Sequence, residues 1–175
     1  QTLLSQVRAI KIVACGTSYH AGLVAKHWLE AHAKLPCDVE IASEFRYRES
    51  VTPEQALMIA ISQSGETADT LAALRLAKSH GYLATLAISN VATSTLVREA
   101  DHAMLTFAGP EIGVASTKAF STQLIVLAIL TLLLQRCCGE VNDALLQTLL
   151  KAPQYLEMAL QLDQDVMGVA QQLVN

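Results

Sequence analysis

The sequence predicts an α/β fold, a three-layer αβα sandwich in which helices cover both faces of a five-stranded parallel sheet. Short apolar runs alternate with helical patterns through the first two thirds of the chain, the order typical of a doubly wound parallel sheet. Apolar residues make up 52% of the chain and aromatic residues only 5%. This aliphatic composition suits buried parallel strands better than a β-sandwich. A length of 175 residues corresponds to one domain with a substantial core.

The first half of the chain contains three predicted strands, each a short apolar run that ends at a glycine or a polar loop. They cover residues 10–15, 37–42 and 57–62. A helical pattern over residues 19–33 separates the first two strands, and Pro36 follows it. A polar turn or short helix is expected at residues 43–48, before Pro53.

The second half begins with a helix predicted over residues 67–80, which Gly81 ends. Strands follow at 84–89 and 103–107, with a short helix at 93–99 between them. A long apolar helix is predicted from Ser116 to Gly139. Two additional C-terminal helices, residues 142–151 and 153–173, are predicted to separate at Pro153, because proline suits a first helical turn better than a helix interior.

Charge and cysteine content narrow the possible functions. The chain has twelve Lys and Arg against sixteen Asp and Glu, and no basic stripe predicts a nucleic-acid partner. The longest apolar stretch, residues 124–134, is shorter than the roughly 20 residues of a membrane span. The four cysteines lack zinc spacing, and the adjacent Cys137 and Cys138 bridge only with strain. We therefore expect a reduced cytoplasmic protein without a metal ion or a cofactor, and no membrane partner.

Three polar loops follow predicted strands, at residues 16–18, 62–67 and 113–117. In a doubly wound sheet such loops meet at the carboxyl edge of the strands, where ligands bind. The loop Ser62-Gln63-Ser64-Gly65-Glu66-Thr67 combines three hydroxyls, an amide and a glycine at the start of a helix. Free N–H groups and the helix dipole favour a phosphate there. Helix capping alone is the alternative, but capping requires a single Ser or Thr.

Four segments resemble the first sugar isomerase (SIS) domain of the glucosamine-6-phosphate synthase family, also called glutamine–fructose-6-phosphate aminotransferase (isomerising). They read CGTSY, ASEFRYR, SQSGETADTL and EIGVASTKAF, in that order. The resemblance implies a flavodoxin-like SIS fold that binds fructose 6-phosphate, glucose 6-phosphate or glucosamine 6-phosphate. It implies eight substrate-binding residues: Thr17, Ser18, Ser62, Gln63, Ser64, Thr67, Val114 (through its backbone) and Ser116.

The resemblance also implies partners beyond this chain. In the family a glutaminase domain precedes this domain, a second SIS domain follows it, and SIS domains commonly pair, so a homodimer is expected. The residues of sugar isomerisation belong to the second SIS domain and the tail. The chain lacks an initiator methionine, and we interpret it as a single SIS domain, residues 1–175, from a longer enzyme. We expect it to bind substrate without turnover, with no catalytic residue of its own.

Several residues are weighed as additional candidates. Glu66 and Glu111 are potential acid–base groups, because aldose–ketose interconversion needs a carboxylate. We interpret Glu66 as a first-turn acid that favours the helix dipole and Glu111 as a surface charge. His20 could contact the ligand, but a partly exposed position in the first turn of a helix is expected. For Lys118 two interpretations stay open, a contribution of charge to the site and a solvated position on the helix surface. Two alternative functions stay open, a non-catalytic sugar-phosphate sensor and a self-sufficient isomerase whose base is Glu66 or Glu111.

Overall fold

The computed structural model describes residues 3–112, 116–139 and 143–174. The chain divides into two compact units, residues 1–141 and 142–175. The first unit contains the sheet, the helices that cover it and the three polar loops, and the second unit contains two helices.

The first unit is built on a five-stranded parallel sheet, which confirms the predicted fold class. Its strands are β1 Ala9–Ala14, β2 Cys37–Ile41, β3 Ala56–Ser62, β4 Ala84–Ser89 and β5 His102–Leu105. Their order across the sheet is β2-β1-β3-β4-β5, and every neighbouring pair is parallel. This is the flavodoxin-like order, and the direction of winding reverses between β1 and β3.

The three central strands are buried along their whole length, which explains their continuous apolar sequences. Their registers bring their carboxyl ends to nearly the same level, with Ala14 opposite Ile61 and Ser62 opposite Ser89. The loops that leave β1 and β3 therefore start side by side.

The described part of the first unit contains five α-helices: α1 Gly16–Trp28, α2 Ala42–Phe45, α3 Ala68–Ser79, α4 Thr95–Glu99 and α5 Lys118–Cys137. A π-helical turn, Leu29–Ala33, extends α1. Buried side chains of α1 and α5 pack on one face of the sheet in one core cluster. Those of α2, α3 and α4 pack on the opposite face in a second cluster. The three-layer arrangement is therefore confirmed.

One helix among the described residues, α5, is long and apolar enough to cross a membrane by length and composition alone. A core helix passes the same test, and 44% of its most apolar window is buried. Its buried face, which includes Leu127, Leu130 and Leu134, belongs to the core cluster beneath α1.

The second unit contains α6 Ala144–Leu160 and α7 Asp163–Leu173. The predicted separation at Pro153 was wrong, because Pro153 lies inside α6. A proline in an exposed helix removes one N–H, and water can hydrate the carbonyl that loses its partner. The helix ends at Leu160 instead, where the N–H groups of Gln161 and Leu162 bond to carbonyls only three residues earlier.

Candidate functional site

A cleft of about 170 Å³ opens at the carboxyl edge of the sheet, where β1 and β3 end side by side. Its described lining combines residues from all three polar loops: Cys15, Thr17, Ser18, Ile61, Ser62, Gln63, Ser64, Thr67, Glu111 and Ser116. The structure thus brings seven of the eight predicted site residues together. The eighth, Val114, lies outside the described residues. Cys15, Ile61 and Glu111 also line the cleft, although we did not count them as binding residues.

The loop after β3 is folded by hydrogen bonds to its own hydroxyls. The Oγ of Ser62 accepts the N–H of Gly65 at 3.0 Å and lies 2.9 Å from the Oγ1 of Thr67. The Oγ of Ser64 accepts the N–H of Glu66 at 3.2 Å. A hydroxyl that accepts an N–H keeps its own proton available. The Ser62–Thr67 pair therefore keeps one proton for a ligand, and Ser64 keeps another.

Gly65 allows this loop to lie directly against the segment before α4. Its φ is +68°, and a Cβ at this position would lie only 2.1 Å from the Oγ of Ser94. The carbonyl of Gly65 accepts the N–H of Leu96 at 3.0 Å, and the carbonyl of Gln63 accepts the N–H of Asn90 at 3.1 Å. The loop is thus held in place by the segment between β4 and α4.

Two helices begin at the cleft without a side-chain cap. Thr67 is the N-cap residue of α3 and Cys15 is that of α1, and neither side chain makes a capping hydrogen bond. The capping alternative for the Ser62–Thr67 loop therefore does not describe how its hydroxyls are used. The first N–H groups of both helices lack intrahelical partners, and each helix N-terminus carries a partial positive charge.

The loop after β1 contributes one exposed and one buried hydroxyl. Thr17 is exposed, whereas Ser18 is buried and its Oγ accepts a hydrogen bond from the Nε2 of Gln123 on α5 at 3.0 Å. Gln123 was not singled out from the sequence, because a glutamine inside an apolar helix carries no motif. Cys15 is half-buried, with its Sγ 4.0 Å from the Oγ1 of Thr70.

The described lining of the cleft contains no Lys or Arg. His20 is exposed, as expected, and Lys118, whose role was left open, is exposed as well; neither is among the lining residues. No cluster of three or more metal-ligating side chains occurs in the described part of the chain. The polarity of the cleft therefore comes from hydroxyls, one amide, a carboxylate and helix N-termini.

Both candidate glutamates cap helices. The Oε1 of Glu66 accepts the N–H of Thr95 at 2.7 Å, so Glu66 acts at the N-terminus of α4 rather than in the first turn of α3 as we expected. The Oε1 of Glu111 accepts the N–H of Thr117 at 2.7 Å, before α5, and so differs from a free surface charge. These backbone hydrogen bonds lower the pKa of both carboxyl groups. Both carboxylates are therefore ionised at neutral pH and already accept hydrogen bonds from the backbone.

Fold and cleft together define a doubly wound α/β domain with a hydroxyl-lined cleft at the point where the strand order reverses. The family model of the SIS domain matches residues 3–133 of the chain. The chain belongs to the SIS domain family.

Curated relatives are similar over nearly the whole chain. A glutamine–fructose-6-phosphate aminotransferase (isomerizing) from Pseudomonas syringae pv. tomato is 56% identical over 173 residues, 97% of this chain. The enzyme of that name from Treponema pallidum is 52% identical over all of it. The chain spans only 28% of the length of each of these relatives.

Solved structures share the fold. The C-terminal domain of glucosamine-fructose-6-phosphate aminotransferase from Francisella tularensis is 49% identical with a TM-score of 0.86, and the match covers 95% of this chain and 48% of that one. Glucosamine-6-phosphate deaminase from Thermotoga maritima is 22% identical with a TM-score of 0.73, covering 89% of this chain and 48% of its own. The second likeness concerns the fold alone.

Proposed function

We propose that this chain is the sugar-phosphate-binding first SIS domain of a glutamine–fructose-6-phosphate aminotransferase (isomerising), which makes glucosamine 6-phosphate from fructose 6-phosphate and glutamine. One observation carries the proposal: two helix N-termini without side-chain caps meet at a cleft lined with hydroxyls. Such N-termini favour a phosphate. The identity to enzymes of that name over nearly the whole chain supports the choice of substrate.

The phosphate is assigned to the loop after β3. Its proposed ligands are the hydroxyls of Ser62, Ser64 and Thr67, the side chain of Gln63 and the free N–H groups of α3. Because the described lining has no cationic side chain, the phosphate is held by hydrogen bonds and the helix dipole alone. This arrangement favours reversible binding of a metabolite.

The sugar is assigned to the neighbouring loops, which contribute Thr17, Ser18, Ser116 and the backbone of Val114. Fructose 6-phosphate, glucose 6-phosphate and glucosamine 6-phosphate share this phosphate and a similar set of hydroxyls. A cavity of about 170 Å³ is smaller than the roughly 300–1,000 Å³ typical of small-molecule sites. The second SIS domain of the intact enzyme is proposed to complete the pocket.

Binding without turnover follows from the state of the two glutamates. A general base works best with a pKa near the working pH, whereas hydrogen bonds lower the pKa of Glu66 and Glu111. Both carboxylates already accept helix N–H groups. This supports a binding domain that relies on other parts of the enzyme for catalysis and argues against a self-sufficient isomerase.

The proposed partners are a glutaminase domain, a second SIS domain and a second copy of the chain. An exposed apolar row on α5, Ile125, Ile129 and Leu133, spaced four residues apart, supports pairing with another SIS domain. A cytoplasmic location is proposed as well. Its support is that all four cysteines are free thiols.

Calorimetric titration tests the proposal. Wild-type chain is titrated with fructose 6-phosphate, fructose and inorganic phosphate, and the sugar phosphate is expected to bind most tightly. Ser64→Ala is expected to weaken binding roughly 10- to 100-fold, the value of a hydrogen bond to a charged group. Ser79→Ala is the matched control, because Ser79 lies at the opposite end of α3 and is exposed.

Two results would contradict the proposal. Equal affinity of Ser64→Ala and wild type would place the phosphate elsewhere. Conversion of fructose 6-phosphate to glucose 6-phosphate by the chain alone, abolished in Glu111→Gln or Glu66→Gln, would instead show a self-sufficient isomerase.

A further inference from the structure

Gln123 is an amide buried inside the most apolar helix of the first unit. It lies on the buried face of α5, and the residue is only 1% exposed. Its Nε2 donates to the Oγ of Ser18 at 3.0 Å, across 105 residues of sequence. Its Oε1 has no hydrogen-bond partner among the described residues. The amide thus makes one directed bond, to a residue that lines the cleft.

That hydrogen bond determines whether the hydroxyl of Ser18 acts as a donor or as an acceptor towards the cleft. A serine hydroxyl has one proton to donate and lone pairs that accept. Because the amide of Gln123 occupies an acceptor position of Ser18, the proton of Ser18 remains free for an oxygen in the cleft. Ser64 is in the same state, since its Oγ accepts the N–H of Glu66. The cleft therefore presents donors, which is what an anion or a sugar oxygen requires.

A purely structural role accounts poorly for an amide at this position. Most other core positions of α5, such as Val126, Leu127 and Leu130, are aliphatic. A buried amide with an unpaired carbonyl oxygen is costly, whereas an aliphatic side chain would fill the same space without that cost. The cost is consistent with a function that only an N–H donor performs.

We propose that Gln123 is a positioning residue that holds Ser18 with its hydroxyl proton directed to the ligand. This inference rests on the proposed function, because it requires that the cleft binds a sugar phosphate. Gln123 does not line the cleft and acts through Ser18.

A double-mutant cycle tests the proposal with fructose 6-phosphate as the probe. Gln123→Met keeps the length of the side chain and removes the donor, and is expected to weaken binding roughly five- to tenfold. Ser18→Ala should weaken it similarly, and the double variant should bind no worse than Ser18→Ala. Thr131→Val is the matched control, because Thr131 is buried on the same helix and bonds only to the carbonyl of Leu127.

A second readout uses pH. In Gln123→Glu, burial should raise the pKa of the new carboxyl into the range of about pH 5 to 8. When ionised it accepts the proton of Ser18 and binding weakens. When protonated it donates to Ser18, as the amide does, and binding recovers. At each pH the dissociation constant of the variant is divided by that of the wild type. This ratio should fall towards one as the pH is lowered. This dependence should shrink when Ser18→Ala is added, because the effect passes through Ser18.

The outcomes separate the two proposals. Absence of phosphosugar binding by the wild type, both as this chain and when joined to the second SIS domain, overturns the proposed function itself. Wild-type binding with unchanged affinity in Gln123→Met overturns only the role of Gln123. Additive losses in the double variant, or a Gln123→Glu ratio that does not vary with pH, also overturn it. If Gln123→Met does not fold, the pH profile of Gln123→Glu decides alone.

Discussion

Gly65 lies near the centre of the Ser62–Thr67 loop, where backbone conformation and space both require glycine. Its φ of +68° is in the left-handed region, and the Oγ of Ser94 and the Oγ of Ser89 would lie 2.1 Å and 2.9 Å from an added Cβ. The motif SQSGET therefore has a packing reason for its glycine. The close approach to Ser94 keeps the hydroxyls of Ser62 and Ser64 at the cleft.

Gly65→Ala is expected to lower the free energy of unfolding by roughly 2–4 kcal/mol, because the methyl group adds a steric clash to backbone strain. Urea denaturation measures it. Gly81→Ala is the matched control, since Gly81 has a φ of +73° with open space around its Cβ. That control should cost only about 1–2 kcal/mol. Equal losses in the two variants would show that the contact with Ser94 is unimportant.

Edge strand β2 is attached to the sheet by charges as well as by its backbone. The side chain of Lys11 on β1 is 6% exposed and pairs with Asp38 and Glu40 of β2. Arg48 also binds Glu40, with its Nη2 2.7 Å from Oε2. The hydrogen bond from Arg48, together with that from Lys11, lowers the pKa of Glu40 from 4.5 to about 2. Parallel pairing of Lys11 with Asp38 brings these groups together.

Glu40→Gln should destabilise the protein by roughly 1–3 kcal/mol at pH 7. Because the folded-state pKa is lowered, the contribution of Glu40 is fully present above about pH 4.5 and is lost as the pH falls towards 2. The difference in the free energy of unfolding between wild type and variant should therefore decrease from pH 4.5 towards pH 2. Urea denaturation at a series of pH values measures it. Glu54→Gln, at an exposed position, is the control and should leave the free energy of unfolding at pH 7 unchanged. A gap that is constant with pH would exclude ionisation as its cause.

At the scale of the whole molecule, every described residue that lines the cleft belongs to the first unit. That unit has its own sheet and two core clusters, and the last buried member of these clusters along the chain is Leu134 in α5. Fold and proposed site are therefore contained in the first 141 residues. The chain spans 28% of the length of its relative from Pseudomonas syringae.

A chain truncated after Gly139 is expected to keep its fold and to bind fructose 6-phosphate with an affinity within about twofold of the full chain, because every described residue of the cleft lining and of the two core clusters precedes Gly139. Calorimetry and circular dichroism measure both properties. The control is a chain truncated after Ile129, which loses the buried side chains of Leu130 and Leu134 and should not fold. A chain ending at Gly139 that folds but does not bind would show that the second unit contributes to the site.

Local sequence predicted most of the elements, because each has its own physical signature. Strand β4 was predicted at its observed bounds, because ATLAIS is a short, mainly apolar run followed by a polar loop. Helix α3 ends where Gly81 adopts a positive φ, as its position predicted. Pro153 misled the prediction, because an exposed helix tolerates the loss of one N–H. The sequence did not reveal how far solvent reaches that helix.

The sequence by itself determined the α/β class, the parallel strands and the hydroxyl-rich loop at a helix N-terminus, all of which depend on neighbours in the chain. Only the tertiary structure decided the strand order and the partners of the loop residues. Glu66 caps a helix 29 residues away, and Gln123 meets Ser18 across 105 residues. Side-chain hydrogen bonds of this kind form wherever folding brings two groups within about 3 Å. The periodicity of a local sequence does not specify the distance between groups that lie far apart in the chain. The arrangement of the cleft therefore depends on the assembled sheet.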